Sequence, residues 1–336
     1  NNKISSIRIS QEIDVKPVLR QMSDSDIKEL RSLVFDKDFP KEYLPFIEKI
    51  ALNNDDIGLI FESIDELTPS IIEMFNPSWV SMDRFSLQDF NLLNGLNNTR
   101  TLLLSDSDTV IYEPLPHIPQ LKQIILNEVN IHEDVIDDFL VNNPQIEKVV
   151  LADCNPSIIK NLHNLKSLSI ISGIADLNLE NLSTHDDLQV LNLLSFEDEK
   201  IENIEALNEL SSLRWLTLPA GITQDQFNTV IQSHKDLEVL EMIQCYKVHD
   251  LEVLTELESL YGLVITDSLL DNVTPKTLDQ IRFLSIPRKS FEDTSYVASL
   301  QAALPDCTIV PNDGFCLGSG WLFLLFPMII FFVIRR

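Results

Sequence analysis

The sequence predicts an α/β solenoid, with short parallel strands stacked along one side and helices or irregular turns along the other, followed by one C-terminal transmembrane helix. Three observations predict it. A six-residue phrase, apolar-x-x-apolar-x-apolar, returns about every 23 residues along most of the chain. Several copies are preceded by a stretch with helical apolar spacing and then a polar turn, as in Phe139–Pro144 and Phe227–Asp236. The 20 residues from Phe315 to Ile334 carry no charge, and a helix of that length spans about 30 Å of hydrocarbon.

The phrase is plainest in the second half, as LKSLSI, LQVLNL, LRWLTL, LEVLEM, LYGLVI and IRFLSI, beginning at residues 165, 188, 213, 237, 260 and 281. Its fourth position is leucine every time: Leu168, Leu191, Leu216, Leu240, Leu263 and Leu284. Upstream copies begin at 82 (MDRFSL), 99 (TRTLLL), 121 (LKQIIL) and 146 (IEKVVL), and one downstream begins at 304 (LPDCTI). Fainter copies begin at 4 (ISSIRI), 30 (LRSLVF) and 57 (IGLIFE). This pattern resembles the leucine-rich repeat, whose units of about 20 to 29 residues each hold a short strand and a helical return. One unit cannot bury its own apolar side, so units must stack and share a core. Strand alternation then turns phrase positions four and six inward and positions three and five outward. Residues 1–81 read as divergent repeats or a cap, 82–310 as repeats, 311–314 as a linker and 315–336 as the membrane tail.

One departure from the family stands out. Leucine-rich repeats usually place Asn or Cys three residues after the third apolar position, where it satisfies backbone groups of the turn. Here that column reads Phe90, Ser107, Val129, Cys154, Gly173, Phe196, Gly221, Cys245, Ser268 and Lys289. Without an asparagine ladder the turns must be irregular or satisfied in another way. Cys154 and Cys245 fit the cysteine variant and are expected to be buried and unreactive.

Composition bounds the function. The chain has 25 Lys and Arg against 52 Asp and Glu, a net charge of −27, so no general affinity for nucleic acid is expected. Only 8 of 336 residues are glycine, which argues against glycine-rich phosphate loops. Four cysteines in so long a chain are no disulfide framework. The six histidines include no pair at i, i+4, and no Cys-x-x-Cys is present, so neither a metal site nor a cofactor is expected. Asp24-Ser-Asp26 and Ser105-Asp-Ser-Asp108 lack the rest of a calcium loop. No catalytic constellation is expected; the chain reads as a binding protein.

The expected binding face follows from the columns. Phrase positions two and three from the unit at 82 to that at 281 give twenty residues. Seven are basic, Arg84, Arg100, Lys122, Lys148, Lys166, Arg214 and Arg282, and three are acidic, Asp83, Glu147 and Glu238. In so acidic a chain this is a basic stripe along the concave face and its rim. Trp215, Tyr261 and Phe283 gather at one end of the same columns, and aromatic and Arg residues are the usual anchors of protein interfaces. The expected partner is a protein or an anionic surface polymer. A structural spacer at the surface is the competing reading.

The tail sets the expected location. Arg335 and Arg336 follow the uncharged run directly, and basic residues favour the cytoplasmic side of a membrane. The first residue is Asn, as expected if a secretory leader has been removed. The tail also resembles the three-part C-terminal sorting signal of some bacterial surface proteins. Its motif would be Cys316-Leu-Gly318-Ser-Gly320, with a hydrophobic helix and then the basic pair Arg335-Arg336. That resemblance implies a membrane-anchored protein with its repeats outside the cytoplasm, and Cys316 as a site of lipidation or cleavage. A cytosolic, tail-anchored adaptor is the alternative.

Overall fold

The computed structural model describes residues 4–312 except 38, 65, 85–89, 107–109, 111, 113, 131, 154–163, 173–176, 196–200 and 266–277. The chain forms two compact units, residues 1–164 and 165–336. The tail, with Cys316, Gly318, Gly320, Arg335 and Arg336, lies outside the described residues, and so do Cys154 and Ser107. Among the described residues no helix is long and apolar enough to cross a membrane.

Unit 1 carries seven parallel strands in chain order: β1 (Ser6–Ile9), β2 (Ser32–Phe35), β3 (Gly58–Phe61), β4 (Trp79–Asp83), β5 (Thr101–Ser105), β6 (Gln123–Asn127) and β7 (Lys148–Ala152). Described helices return the chain in five of the six connections: α1 (Lys16–Gln21), α2 (Asp24–Glu29), α3 (Leu44–Asn53), α4 (Thr68–Phe75), α5 (Phe90–Leu93) and α6 (Glu133–Asn142). Local sequence starts and stops them. Pro17, Pro45 and Pro69 sit in the first turns of α1, α3 and α4, where the missing N–H costs nothing. Ser23 and Asp26 form a capping box on α2, and Asn76 ends α4 in the left-handed conformation.

Unit 2 repeats the plan with β8 (Ser167–Ser172), β9 (Leu177–Asn178), β10 (Val190–Ser195), β11 (Ile201–Glu202), β12 (Trp215–Thr217), β13 (Val239–Glu241), β14 (Gly262–Val264), β15 (Phe283–Pro287) and β16 (Thr308–Asn312). The two-residue strands β9 and β11 pair only with each other; the other seven form one parallel ladder in chain order. Three of the returns are 3₁₀ turns, at Glu180–Thr184, Ile204–Glu209 and Glu252–Glu256. The described helical returns are α7 (Gln224–Ser233), which opens on a Thr223–Gln226 capping box, α8 (Arg288–Phe291) and α9 (Thr294–Ala303). This is the parallel-strand, helical-return architecture expected of leucine-rich repeats.

Strand pairing fixes the repeat frame. In unit 2, Leu168, Leu191, Leu216, Leu240, Leu263 and Leu284 stand opposite one another from strand to strand, and each is 0% exposed. Position six follows suit: Ile170, Leu193, Leu218, Met242, Ile265 and Ile286 are all buried. At about 1.5–3 kcal/mol for each large apolar side chain removed from water, these columns are the main stabilising term of the unit.

Three frames read from sequence need correction. Val80 and Met82 pair with Leu102 and Leu104, so the fourth unit begins at Pro77 rather than at Met82. Leu33 and Phe35 pair with Leu59 and Phe61, moving the third unit one residue back, to 56. Leu284 pairs with Ile309, moving the last unit two residues on, to 306. Each misplaced phrase was an apolar match beside the true one. Burial separates them, because Leu59 and Phe61 are fully buried while Ile60 between them is only half-buried.

The missing asparagine ladder is replaced by two devices. After the strand, the eighth residue of five units adopts the left-handed conformation: Arg84, Asp106, Glu128, Asp153 and Gln244, with φ of 53°, 53°, 51°, 50° and 61°. That geometry turns the chain without glycine, although it costs a non-glycine residue roughly 1–2 kcal/mol. Before the strand, eight of the units close a tight turn in which the first phrase residue donates to the carbonyl three residues back, as Leu121 does to Ile118, Leu188 to His185 and Leu237 to His234. Buried side chains hold these lead-ins. Asn54 Nδ2 donates to the carbonyls of Ile27 and Leu30, and Asn143 both donates to the Phe139 carbonyl and accepts from the Ile118 N–H. Cys245 retains the ladder's role, its sulfur 3.6 Å from the Pro219 carbonyl oxygen.

Candidate interaction surface

The face of each sheet opposite the core is formed by phrase positions three and five, and it is less open than alternation alone predicts. Position five was expected to face solvent. Instead Ser81, Leu103, Ile125 and Val150 in unit 1 are buried, as are Ser169, Asn192, Thr217, Glu241, Val264 and Ser285 in unit 2. Parallel strands lie about 4.8 Å apart, so side chains of one column cover one another. In unit 2 they also bond to one another. Asn192 Nδ2 donates to Ser169 Oγ at 3.0 Å, Thr217 Oγ1 donates to Asn192 Oδ1 at 2.7 Å, and Glu241 Oε2 lies 3.2 Å from the same hydroxyl. This polar row was missed at the sequence level, although the column Ser, Asn, Thr, Glu is legible once position five is treated as a contact row.

Position three is where the face opens. In unit 2 its column runs Ser167, Val190, Trp215, Val239, Gly262, Phe283 and Thr308. Val190, Trp215 and Phe283 are half-buried, and beside them Tyr261, at position two, is 45% exposed. Trp215 Nε1 is shielded from solvent and has no hydrogen-bond acceptor among the described residues. Val239 leans over Gly262, with a methyl 3.2 Å from where a Cβ would stand, so the glycine keeps this part of the face flat. In unit 1 the equivalent aromatic is Trp79, brought into the column by the corrected frame. Its indole lies directly over Gly58, with a ring carbon 1.5 Å from the place a Cβ would occupy.

Two members of the basic stripe, Lys122 and Arg214, are paired with acids. Lys122 pairs with Glu147 at 3.1 Å. Arg214 pairs with the Asp236 carboxylate at 3.1 Å, reaches Glu238 at 4.0 Å and donates to the Asp236 carbonyl. Arg100 and Lys166 are exposed and Lys148 is half-buried. Arg84, expected on the strand, instead follows it as a left-handed turn residue. Arg282 differs from Arg214: its Nη1 donates to the carbonyls of Asp279 and Ile281, with no carboxylate partner among the described residues.

Among the described residues, the titratable groups with shifted pKa values on the core side are a buried thiol and a buried imidazole. Burial pushes the Cys245 thiol up to about 12, which leaves it protonated and unreactive. Burial also raises the Cys307 thiol, against the pull of Arg282. His234 Nδ1 donates to the Val230 carbonyl at 2.7 Å, and burial holds the ring below the usual imidazole range. Among the described residues, no group of three or more His, Cys, Asp or Glu could hold a metal ion.

No family model matches the chain, and no curated protein matches it. Solved structures similar to it include an internalin, inlF, from Listeria monocytogenes str. 4b F2365, at 14% identity over 90% of this chain and 93% of that one, with a TM-score of 0.46. TLR13 in its complex with ssRNA13 is 14% identical over 92% of this chain and 54% of that one, with a TM-score of 0.48. Yeast Rad7, in its complex with Elc1, is 15% identical over 88% and 81%, with a TM-score of 0.42. At these values the likeness says nothing of what this chain binds.

Proposed function

We propose that this protein is a non-catalytic interaction scaffold that binds a protein partner on the outer sheet face of unit 2. The observation that carries the reading is the half-open row Val190, Trp215 and Phe283 beside the exposed Tyr261. The surrounding sheet face is closed by its own contacts, whereas this row presents aromatic area of the kind that anchors interfaces. The ion pairs Lys122–Glu147 and Arg214–Asp236 neutralise two members of the stripe on which an anionic surface polymer would depend, and the aromatic row is the kind of area a protein covers, so a protein is the better fit. We further propose that residues 315–336 anchor the chain in a membrane with the repeats outside the cytoplasm. That reading is supported by the uncharged run and the two terminal arginines.

A photo-crosslinking amino acid placed at Trp215, and separately at the exposed Thr229 on α7, tests the binding face in native cells. A discrete adduct from position 215 and none from 229 is the expected result. No adduct, or the same adducts from both positions, would overturn the reading and favour a spacer role. Deleting residues 315–336 should release the repeats from the membrane fraction; retention there would overturn the anchor.

A further inference from the structure

Resting on the scaffold reading, we infer that the partner docks through an acidic side chain next to a bulky apolar one, the carboxylate on Arg282 and the apolar group on Tyr261 and Phe283. Arg214 and Arg282 occupy the same phrase position, and in each Nη1 donates to a nearby backbone carbonyl. Those bonds restrain the side chain before any partner arrives, which lowers the entropy lost on docking. The charges fare differently. Arg214 has Asp236 and Glu238, whereas Arg282 is exposed and, among the described residues, is hydrogen-bonded only to neutral carbonyls. Carbonyls orient a guanidinium without compensating it, so its outward N–H groups remain available to a carboxylate, the ligand its fork geometry matches.

The apolar half of the site lies alongside. Gly262 pairs with Phe283, so Tyr261 and Arg282 stand opposite each other one residue earlier, and the Arg282 N–H donates to the Tyr261 carbonyl at 2.8 Å. Tyr261 is 45% exposed and Phe283 half-buried. Gly262 offers no side chain between them and Val239, so an incoming apolar group meets a flat aromatic floor. No residue of this cluster belongs to the buried polar row or to the core columns. Substitutions here therefore test binding without disturbing the fold.

The test is selection of a random peptide phage library on the full chain, held in a non-ionic detergent, in parallel with the Arg282→Glu, Arg282→Lys and Trp215→Ala variants. Thermal melts should match the parent for the Arg282 variants, whose side chain is at the surface. The expected result is enrichment of peptides pairing Asp or Glu with Leu, Phe or Trp. Arg282→Glu should bind them about tenfold or more weaker, the scale of a lost charged anchor plus a repulsion, and Arg282→Lys should fall between. Enriched peptides without an acidic residue, or acidic peptides indifferent to Arg282→Glu, overturn the inference; if those peptides still depend on Trp215, the scaffold reading stands alone. No enrichment over the bare support overturns both.

Discussion

Each unit builds a parallel sheet on the same column plan, but with different side chains. Position four of unit 2 is leucine six times before Ile309, whereas unit 1 places Ile7, Leu33, Leu59, Val80, Leu102, Ile124 and Val149 there. The burial is nonetheless alike, since none of the unit 1 residues is more than 5% exposed. Position six of unit 1 includes Phe35 and Phe61, whose rings stack with centroids 5.2 Å apart. What holds the register is therefore that both columns are apolar and inward, not that they are leucine. A slip of one residue would expose both columns at once. The units differ more on the outer face, where unit 1 lays its tryptophan over a glycine and unit 2 leaves an aromatic row half open.

The largest effect should come from charging the shared columns. Leu240→Asp in unit 2 and Leu59→Asp in unit 1 each bury an unpaired carboxylate, at a cost of several kcal/mol that is comparable to a whole domain's stability. Each variant should lose far-UV circular dichroism and amide protection in its own unit. Ile60→Asp is the control that sharpens the frame, because that side chain is half-buried on the opposite face and should be tolerated. Unfolding by Ile60→Asp and none by Leu59→Asp would restore the frame that begins at Ile57.

That frame shows what the sequence could and could not reveal. Fold class and strand positions were legible wherever one apolar phrase stood alone, as at Leu165 or Leu213. Where overlapping phrases competed, as at 56 and 57 or at 77 and 82, apolar spacing could not choose, and pairing with neighbouring strands decided. For the same reason Trp79 escaped notice as an outer-face residue, because the phrase at Met82 left it out of the repeat. Half of the candidate face was readable: Trp215, Tyr261 and Phe283 follow from columns alone. Which arginine is neutralised was not, since Arg214 and Arg282 occupy equivalent positions and differ only in the acids their lead-ins bring close.

The two glycines should separate next. Gly58→Ala sets a methyl inside the Trp79 indole, so the ring must leave its seat. The expected cost is in the range of about 1–3 kcal/mol for overpacking, with a changed tryptophan emission. At Gly262 the nearest atom is a Val239 methyl at 3.2 Å, and a shift of a few tenths of an ångström should absorb the change at under about 1 kcal/mol. Equal losses in urea melts would mean that Trp79 does not depend on Gly58.

A pH effect should distinguish the lead-ins. His234 in unit 2 and Asn143 in unit 1 sit at matching turns, each donating to a helix carbonyl. Burial, the largest cause, lowers the His234 pKa from 6.5, while the carbonyls of Val230 and Leu207 pull the other way. The unfolded chain therefore binds a proton more readily than the folded one. The stability His234 contributes is fully present above pH 6.5 and is lost as pH falls below it towards the folded value. His234→Asn should flatten that part of the urea-midpoint profile. An unchanged slope would assign the acid sensitivity to other groups.

The smallest effect should come from the ion pairs of the outer rim, one in each unit. Lys122 and Glu147 are 50% and 29% exposed, and Arg214 and Asp236 are 42% and 68% exposed. Water and salt screen such charges, and holding two long side chains in one geometry costs entropy, so each pair is worth about 0–1 kcal/mol. Double-mutant cycles through Lys122→Ala with Glu147→Ala, and Arg214→Ala with Asp236→Ala, should give couplings within that range that shrink in high salt. A weak pair is also an exchangeable one, so an incoming carboxylate could take Asp236's place on Arg214 at little cost, whereas on Arg282 it would meet no competing carboxylate among the described residues. Binding of an acidic partner should therefore weaken more with Arg282→Ala than with Arg214→Ala. If Asp236→Ala raises affinity while Arg282→Ala leaves it unchanged, the anchor lies at Arg214.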